Sequence, residues 1–238
     1  MIPTYNTGNK VYEVVRAVAA TGFSTLVVAD GCNDGTAEGL RALCASLDNT
    51  EFVAHEQNCG KGQAILTACH LAKTHGFTHI LAFDADGQHP ANAIKGYADL
   101  SRQFPNAMVA GYPVFDAAAP WERVLCRKLA NVWTRFLSVN PDLRDSMFGM
   151  RVYPLEPLLR VFAATKLGRH YDLECVAAIR LSWDGHPVKN IATPVQYFQK
   201  SEGGVSHYRY MRDNIRLGRV YLRLIPGALQ RWLRKFVS

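Results

Sequence analysis

The sequence predicts an α/β fold in which a mostly parallel central sheet is covered by helices on both faces. Apolar runs typical of buried strands alternate with segments whose apolar residues recur at helical spacing. Charged residues do not interrupt the strand-like runs, as expected for strands buried on both sides. The chain has 238 residues, 48% of them hydrophobic, which is enough for one such domain with a sizeable core.

The first half of the chain predicts strands and helices in alternation. Strands are expected over 24–30, 51–56, 78–86 and 107–112, and MIPTYN at the start looks like the tail of another. Because that tail is short, we expect a few residues to be missing before Met1. Helix faces are predicted from two sets at helical spacing: Val11, Val14, Val15 and Val18, then Ala64, Leu66, Ala68, Leu71 and Ala72.

Beyond residue 112 the pattern is less regular. We predict, in order, a basic amphipathic helix over 121–139, a strand returning to the sheet over 145–154, a helix over 171–183 and an extended edge segment over 185–198. Pro187 and Pro194 favour the edge of the sheet, since proline cannot donate to a central strand. We divide the chain into a domain over 1–205 and a basic amphipathic helical extension over 206–238.

Two carboxylates follow one predicted strand directly, in LAFDADGQHP at 81–90. Ligands bind such sheets at the carboxyl ends of the strands, so Asp84 and Asp86 are expected on the same rim as Asp30. Oxygen ligands suit a divalent cation that bridges to a phosphorylated ligand, and Gln88 adds a neutral oxygen. The alternative is a solvated acidic turn.

Two further stretches carry polar residues and glycines at the ends of strands. In VVADGCNDGT (27–36), Asp30 is suited to accept hydrogen bonds from a base or ribose, whereas Asp34 and Thr36 fit a capped turn. In QNCGKGQA (57–64), a glycine-flanked Lys61 starts a helix within reach of a phosphate or a base carbonyl. This stretch is not a Walker-type phosphate loop, and the alternative for Lys61 is a solvated side chain.

The chain is basic, with a net charge of +7 and a pI of about 9.2. Four arginines form one row on the predicted C-terminal helix: Arg212, Arg216, Arg219 and Arg223. Farther along the chain, Trp232 and Phe236 lie among further basic residues. Such a segment suits an anionic membrane surface, or else a helix packed on the domain with a solvated basic edge. A nucleic-acid partner is not expected, because no recognition motif accompanies the charge.

The cysteine pattern and the absence of targeting signals bear on location. The six cysteines contain no Cys-x-x-Cys pair, and we interpret them as reduced thiols. No apolar stretch is long enough to span a bilayer, and there is no signal peptide. We therefore expect a cytoplasmic protein, peripheral on the inner face of the plasma membrane if the basic helix binds lipid.

Six stretches, in order, resemble the family 2 glycosyltransferases of the GT-A fold: IPTYN (2–6), VVADGCNDGT (27–36), NCGKGQA (58–64), DADGQHP (84–90), DSMFGMR (145–151) and YDLE (171–174). DADGQHP is most similar to the dolichyl- or polyprenyl-phosphate sugar transferase branch. The resemblance covers about residues 1–205. It implies a Rossmann-like GT-A fold and a metal-dependent, inverting glycosyltransferase of the hexosyltransferase type that uses a nucleotide-diphosphate sugar.

The resemblance also implies roles for individual residues. Nucleotide-sugar binding falls to Pro3, Tyr5, Asn6, Asp30, Gly31, Lys61 and Asp84. Mg²⁺ or Mn²⁺ would be held by Asp84, Asp86 and Gln88. The catalytic candidates on the acceptor side are Asp145 and Glu174, which act as a base if the acceptor is a hydroxyl. A lipid-phosphate acceptor is already ionised and needs no base.

The match departs from the family pattern at two places. Thr7 stands where the family has an acidic residue, and Tyr112 and Pro113 stand where the lipid-phosphate branch has an arginine that holds the acceptor phosphate. Candidates for that phosphate are Arg123, Arg127, Arg151, His207 and Arg209, with His207 on a flexible loop after Gly203 and Gly204. The alternatives are a donor-binding but inactive module, a hydroxyl-acceptor glycosyltransferase of glycan or lipid biosynthesis and, less well matched, a nucleotidyltransferase.

Overall fold

The described part of the chain contains seven strands and eight α-helices, which alternate from β1 to α6. The computed structural model describes the backbone of residues 1–114, 121–196 and 210–237, and their side chains except at 121–124, 126, 210–212 and 214. The strands are β1 Ile2–Thr4, β2 Thr25–Asp30, β3 Thr50–His55, β4 His79–Ala82, β5 Met108–Val114, β6 Arg151–Pro154 and β7 Val188–Pro194. The helices are α1 Lys10–Ala19, α2 Thr36–Ala45, α3 Lys61–Thr74, α4 Ile94–Gln103, α5 Trp121–Ser138, α6 Leu155–Ala164, α7 Leu173–Trp183 and α8 Tyr210–Val237.

The strands form two sheets that adjoin at Met1. β1, β2 and β3 pair in parallel in that order, and the second sheet has the order β4-β6-β5-β7. β6 is antiparallel to both of its neighbours, whereas β5 and β7 are parallel. The Met1 amino group donates to the Leu81 carbonyl at 2.7 Å and Phe83 N–H donates to the Met1 carbonyl at 3.0 Å. The predicted mostly parallel sheet is confirmed, with β7 at its edge.

Helices cover both faces of the sheets, as predicted. Successive residues of a strand point to opposite faces, so Leu26 and Val28 of β2 lie in one hydrophobic cluster and Val27 lies in the other. The first cluster contains buried side chains of α3, α6, α7 and α8. The second contains the predicted valine face of α1 together with residues of α2 and α4.

Two predicted strands are shorter than expected because aspartate side chains bond to nearby backbone. β4 ends at Ala82 rather than at residue 86, and the Asp86 carboxylate accepts a hydrogen bond from the Gln88 N–H at 2.9 Å. β6 begins at Arg151 rather than at residue 145, and Asp145 accepts one from Met147 N–H at 2.9 Å. Local bonds of this kind favour turns over strand pairing.

The C-terminal helix α8 packs on the body of the protein along one face. Val220, Leu224 and Ala228 are buried in the same cluster as α3, α6 and α7. The predicted boundary between 205 and 206 lies outside the described residues, so the two-part division stays a prediction. No helix in the described ranges has the length and apolar character that crossing a bilayer requires.

Arg151 is the largest fully buried side chain and joins three segments of the chain. Its guanidinium donates to the carbonyls of Phe148, Glu174 and Asp145 at 2.9, 2.8 and 2.9 Å. A planar fork with several donors is what this arrangement requires, and removal of one partner leaves buried carbonyls unsatisfied. Arg151 is therefore expected to fix the loop 145–150 against α7.

We predict that Arg151→Ala lowers the free energy of unfolding by about 3 kcal/mol or more, because buried carbonyls lose their donors. Urea denaturation followed by circular dichroism measures the change. Arg160→Ala on the exposed side of α6 is the matched control, expected within about 0.5 kcal/mol of wild type. Equal stability of the two variants would contradict this role.

Candidate active site

A cleft of about 530 Å³ lies where β1, β2 and β4 reach their carboxyl ends. The cleft is lined by eight of the residues that the sequence singled out: Pro3, Tyr5, Asp30, Lys61, Asp84, Asp86, Gln88 and Glu174. The acids after β2 and β4 thus share one rim, as expected from the direction of the strands. The cleft is also lined by His170 and Tyr171 before α7 and by Arg216 of α8.

Asp30 ends β2 and organises the loop before α3. Its Oδ1 accepts from Cys59 N–H at 2.9 Å and pairs with His55 Nδ1 at 2.7 Å, while Oδ2 accepts from Gly60 N–H at 2.7 Å. The other ring nitrogen of His55 bonds to Thr67 Oγ1 at 2.9 Å. A carboxylate offers about four acceptor positions, so three such bonds leave capacity for one donor of a ligand.

Asn6 and Gly31, in the loops after β1 and β2, do not line the cleft but fix the backbone beside it. Asn6, at a positive φ of 48°, exchanges two hydrogen bonds with Asn33, at 2.7 and 2.9 Å. A side chain at Gly31 would overlap the backbone of Gln57 and Asn58. Thr7, where the family has an acid, bonds through its hydroxyl to Thr4 Oγ1 at 2.7 Å.

Lys61 begins α3 and lies between two carboxylates. Its ammonium contacts Asp84 Oδ1 at 2.7 Å and also Glu174 Oε1, and its side chain is 14% exposed. Burial alone would lower the pKa of Lys61, but the charges of Asp84 and Glu174 raise that pKa well above its usual range. The alternative of a solvated lysine is therefore wrong.

Asp84 and Asp86 enter the cleft from the turn after β4. Burial opposes the charge of Asp84, yet Lys61, with His89 adding to its effect, holds the pKa of Asp84 well below its usual range. Burial and the negative charge of Asp84 raise the pKa of Asp86. Gly149 backs this turn, since a side chain there would overlap the Asp84 carboxylate.

The carboxylates of this cleft suit a divalent cation. Six acids line the cleft: Asp30, Asp84, Asp86, Asp172, Glu174 and Asp213. Among the described lining residues, the basic ones are Lys61, Arg216 and His170. Burial first, and then the negative charge of Asp84, raises the pKa of Asp86, and a bound cation would relieve both effects. Carboxylate oxygens are the ligands that Mg²⁺ and Mn²⁺ prefer, so Asp84 and Asp86 fit such an ion, with Gln88 next to them.

A second group of potential metal ligands lies at the ends of β2 and β3 and in the loop before α3. Ligand atoms of Asp30, His55 and Cys59 lie within 4.8 Å of one another. Both ring nitrogens of His55 and both oxygens of Asp30 already bond to protein. These bonds account for the cluster without an ion.

The acceptor-side candidates differ in whether they reach the cleft. Asp145 is buried and bonded to Arg127 at 2.6 and 3.1 Å, to Asn131 and to Met147 N–H, so its oxygens are occupied. Burial opposes the charge of Asp145, but Arg127 lowers its pKa below the usual range. The expectation that Asp145 acts as a base does not fit this geometry, because its proton-accepting positions are occupied.

The predicted phosphate-binding arginines are not brought to the cleft within the described part of the chain. Arg151 is fully buried and donates to carbonyls, so the expectation that it contacts a phosphate is wrong. Arg127 pairs with Asp145 and does not line the cleft. The side chain of Arg123, and all of His207 and Arg209, lie outside the described residues.

Several cleft residues were not anticipated from the sequence. His170, Tyr171 and Arg216 line the cleft together with the acids, although they are distant in sequence from the Asp-x-Asp turn. A side chain at Gly60 would overlap His170, so the glycine before Lys61 allows this close approach. The glycine pair around Lys61 was the available signal, because glycine marks sites where backbone comes close to another segment.

Comparison with known proteins identifies the family. Residues 1–161 match the model of glycosyl transferase family 2. Polyprenol monophosphomannose synthase of Mycolicibacterium smegmatis is 27% identical over 216 residues, covering 85% of this chain and 78% of that protein. UDP-N-acetylglucosamine–dolichyl-phosphate N-acetylglucosaminyltransferase of Methanococcus voltae is 24% identical over 218 residues, covering 81% and 85%.

Solved structures support the fold. Glucosyl-3-phosphoglycerate synthase from Mycobacterium tuberculosis, in complex with Mn²⁺, UDP and glucosyl-3-phosphoglycerate, has a TM-score of 0.63 and 15% identity. The likeness covers 95% of this chain and 77% of that one. The GT-A fold expected from the six motifs is confirmed, and since the family match spans more than half of its residues, the chain belongs to glycosyl transferase family 2.

Proposed function

We propose that this glycosyltransferase moves a hexose from a nucleoside-diphosphate sugar to the phosphate of a polyprenyl-type lipid, with inversion at the anomeric carbon. The observation that carries the proposal is the meeting of Asp30, Lys61, Asp84 and Asp86 at one rim. The names of the mycobacterial and methanococcal relatives support a polyprenyl- or dolichyl-phosphate acceptor.

The donor nucleotide is assigned to the β1–β2 side of the cleft. The remaining acceptor capacity of Asp30 suits an N–H of the base or a hydroxyl of the ribose. Pro3 and Tyr5 line the same wall. The diphosphate would then lie toward Lys61 and the Asp-x-Asp turn, where the proposed cation would offset its charge.

The metal is assigned to Asp84 and Asp86, with Gln88 as a neutral neighbour. When bound, Mg²⁺ or Mn²⁺ would neutralise the diphosphate as charge builds on it during cleavage of the sugar–phosphate bond. The relative solved with Mn²⁺ and UDP supports this choice of ion. Lys61 would keep its ion pair with Asp84, which lies 2.7 Å from the ammonium group.

The acceptor phosphate removes the need for a protein base. A phosphate oxygen is ionised near neutral pH and attacks the anomeric carbon without losing a proton to the enzyme. Glu174 is 5% exposed and holds Lys61, so we assign it a positioning role. A hydroxyl acceptor is the alternative, in which Glu174 would have to take the proton.

A membrane surface is the proposed location of the acceptor. Ile215, Leu222, Leu229, Leu233 and Phe236 follow one another at spacings of seven, seven, four and three, which places them on one face of α8, and all are exposed. Leu125, Leu129, Val132, Trp133 and Phe136 form an exposed face of α5 in the same way.

Aromatic contacts join these two exposed faces into one surface. Phe136 stacks on Trp232 with ring centroids 6.2 Å apart, and Trp232 Nε1 donates to the Phe136 carbonyl at 2.9 Å. Arg219, Arg223 and Lys128 are exposed on the same helices. Apolar and aromatic side chains flanked by cations complement an anionic bilayer surface, so we place the protein peripherally at the cytoplasmic face of a membrane.

Asp86→Asn is expected to lower kcat/KM by at least about 100-fold, because the transition state loses a metal ligand worth several kcal/mol. Mn²⁺ affinity, measured by titration calorimetry, should fall in parallel, while the melting temperature without metal is not lowered, since Asp84 loses a like-charged neighbour. The control is Asp99→Asn, because the Asp99 side chain is exposed on the outer face of α4. Wild-type turnover by the Asp86 variant would refute the metal assignment.

Glu174→Gln separates a positioning role from that of a base. We expect kcat to fall by about tenfold or less with an unchanged pH profile, because loss of a general base would cost on the order of 10²–10⁴. Initial rates with polyprenyl phosphate across pH give both values. A loss beyond 10²-fold together with disappearance of the fall in rate on the acid side of the pH profile would favour the hydroxyl-acceptor alternative.

Replacement of Leu229 and Leu233 by glutamate should weaken binding to anionic vesicles by about tenfold or more, because charges then face the bilayer. Co-sedimentation with phosphatidylglycerol vesicles, compared with phosphatidylcholine vesicles, measures the effect. Phe77→Glu is the control, since Phe77 is an exposed apolar residue on neither α5 nor α8. Equal vesicle binding by the double variant and wild type would contradict a membrane role for this face.

A further inference from the structure

The proposed acceptor carries a phosphate, and the cleft is lined mainly by acids. Six carboxylates face the space in which this anion must lie close to the donor sugar. A phosphomonoester dianion placed there needs a cation that is not already neutralised by the protein.

Most nearby cations are committed to other partners. Lys61 is held between Asp84 and Glu174, and Arg127 forms a bidentate contact with Asp145. Arg144 lies over the ring of Tyr112, with the guanidinium carbon 5.0 Å from the ring centroid, and does not line the cleft. Within the described chain, these side chains leave the phosphate without a ligand.

Arg216 is the exception. It lies in the first part of α8, is half-buried and lines the same cleft as Asp84 and Asp86. No hydrogen bond, ion pair or ring contact to Arg216 is found among the described residues, although Asp213 lines the cleft one turn earlier. A guanidinium held in a cleft without a carboxylate partner is suited to bind a phosphate in a bidentate manner.

We propose that Arg216 binds the phosphate of the acceptor. This inference rests on the proposed function, because it takes the acceptor to be a phosphomonoester. Arg216 then sets which acceptors are used, while the donor is bound by the β1–β2 side of the cleft.

The position of Arg216 on α8 connects the cleft to the apolar surface. Helix rise is 1.5 Å per residue, so Phe236 lies about 30 Å farther along the helix. The exposed apolar face of α8 runs along this length. A lipid whose phosphate is bound at Arg216 would therefore have its hydrocarbon chain next to apolar side chains.

Two sources of phosphomonoester fit the chemistry of Arg216. One is a polyprenyl monophosphate, and the other is a soluble phosphate ester such as 3-phosphoglycerate, whose glucosylated form is bound in a structural relative. Both present the same dianion to a guanidinium. The apolar surface favours the lipid, and the experiment therefore includes both acceptors.

The test compares Arg216→Gln, Arg216→Lys and Arg219→Gln in the full-length protein. Arg219 is the matched control, because it is exposed one turn later on the same helix and does not line the cleft. Initial rates are measured with saturating donor and varied polyprenyl monophosphate in micelles, then with varied 3-phosphoglycerate. Binding of a short-chain prenyl phosphate is measured separately by titration calorimetry.

We expect Arg216→Gln to raise the KM for the lipid acceptor and the Kd for prenyl phosphate by about 10- to 100-fold, as loss of a charged hydrogen bond implies. The KM for the donor should stay unchanged, Arg216→Lys should restore part of the affinity, and Arg219→Gln should resemble wild type. If the enzyme uses 3-phosphoglycerate but not polyprenyl phosphate, and Arg216→Gln lowers that activity, Arg216 still binds a phosphate, but the acceptor is a soluble ester.

Other results would overturn the inference in distinguishable ways. If wild type glycosylates polyprenyl phosphate and Arg216→Gln behaves like Arg219→Gln, the role of Arg216 fails and the proposed function stands. If Arg216→Gln raises the donor KM instead, Arg216 binds the donor. If wild type neither binds nor glycosylates either phosphate, the proposed function fails and this inference fails with it.

Discussion

The ammonium group of Lys61 is the contact on which the cleft depends. It lies between Asp84, which follows β4, and Glu174, in the first turn of α7, and thereby ties the proposed donor side to the acceptor side. Without this cation, the carboxylates of Asp84 and Glu174 would repel each other across a short distance. The glycines on either side of Lys61 allow the segment around His170 to approach the start of α3.

The distribution of charge follows from the same constraint. The protein carries a net charge of +7, yet its cleft is lined by six acids and few cations. An acidic cleft favours ligands that bring positive charge, and under the proposed function a divalent ion bound with the nucleotide would supply it. The excess of arginine and lysine lies elsewhere, in part along α5 and α8 beside exposed apolar side chains, where it suits an anionic surface.

Much of the fold and the donor side of the site could be predicted from local patterns. The apolar strands, the valine face of α1 and the acids after β2 and β4 are consequences of neighbouring residues, and the direction of parallel strands places those acids on one rim. The antiparallel placement of β6 and the early end of β4 were not predicted. At the end of β4 and before β6, aspartate side chains bond to nearby backbone and so compete with strand pairing. The pattern of apolar residues does not reveal such bonds.

The sequence by itself determined the family, the α/β class and the Asp-x-Asp turn, because each of these depends on residues close together in the chain. Only the tertiary structure decided which charged side chains face the cleft. Arg151 and Asp145 turned inward to bonds with other segments, whereas Arg216 came to the cleft from α8. Lys61 and Glu174 are 113 residues apart, and a hydrogen bond across that separation depends on packing of the whole domain.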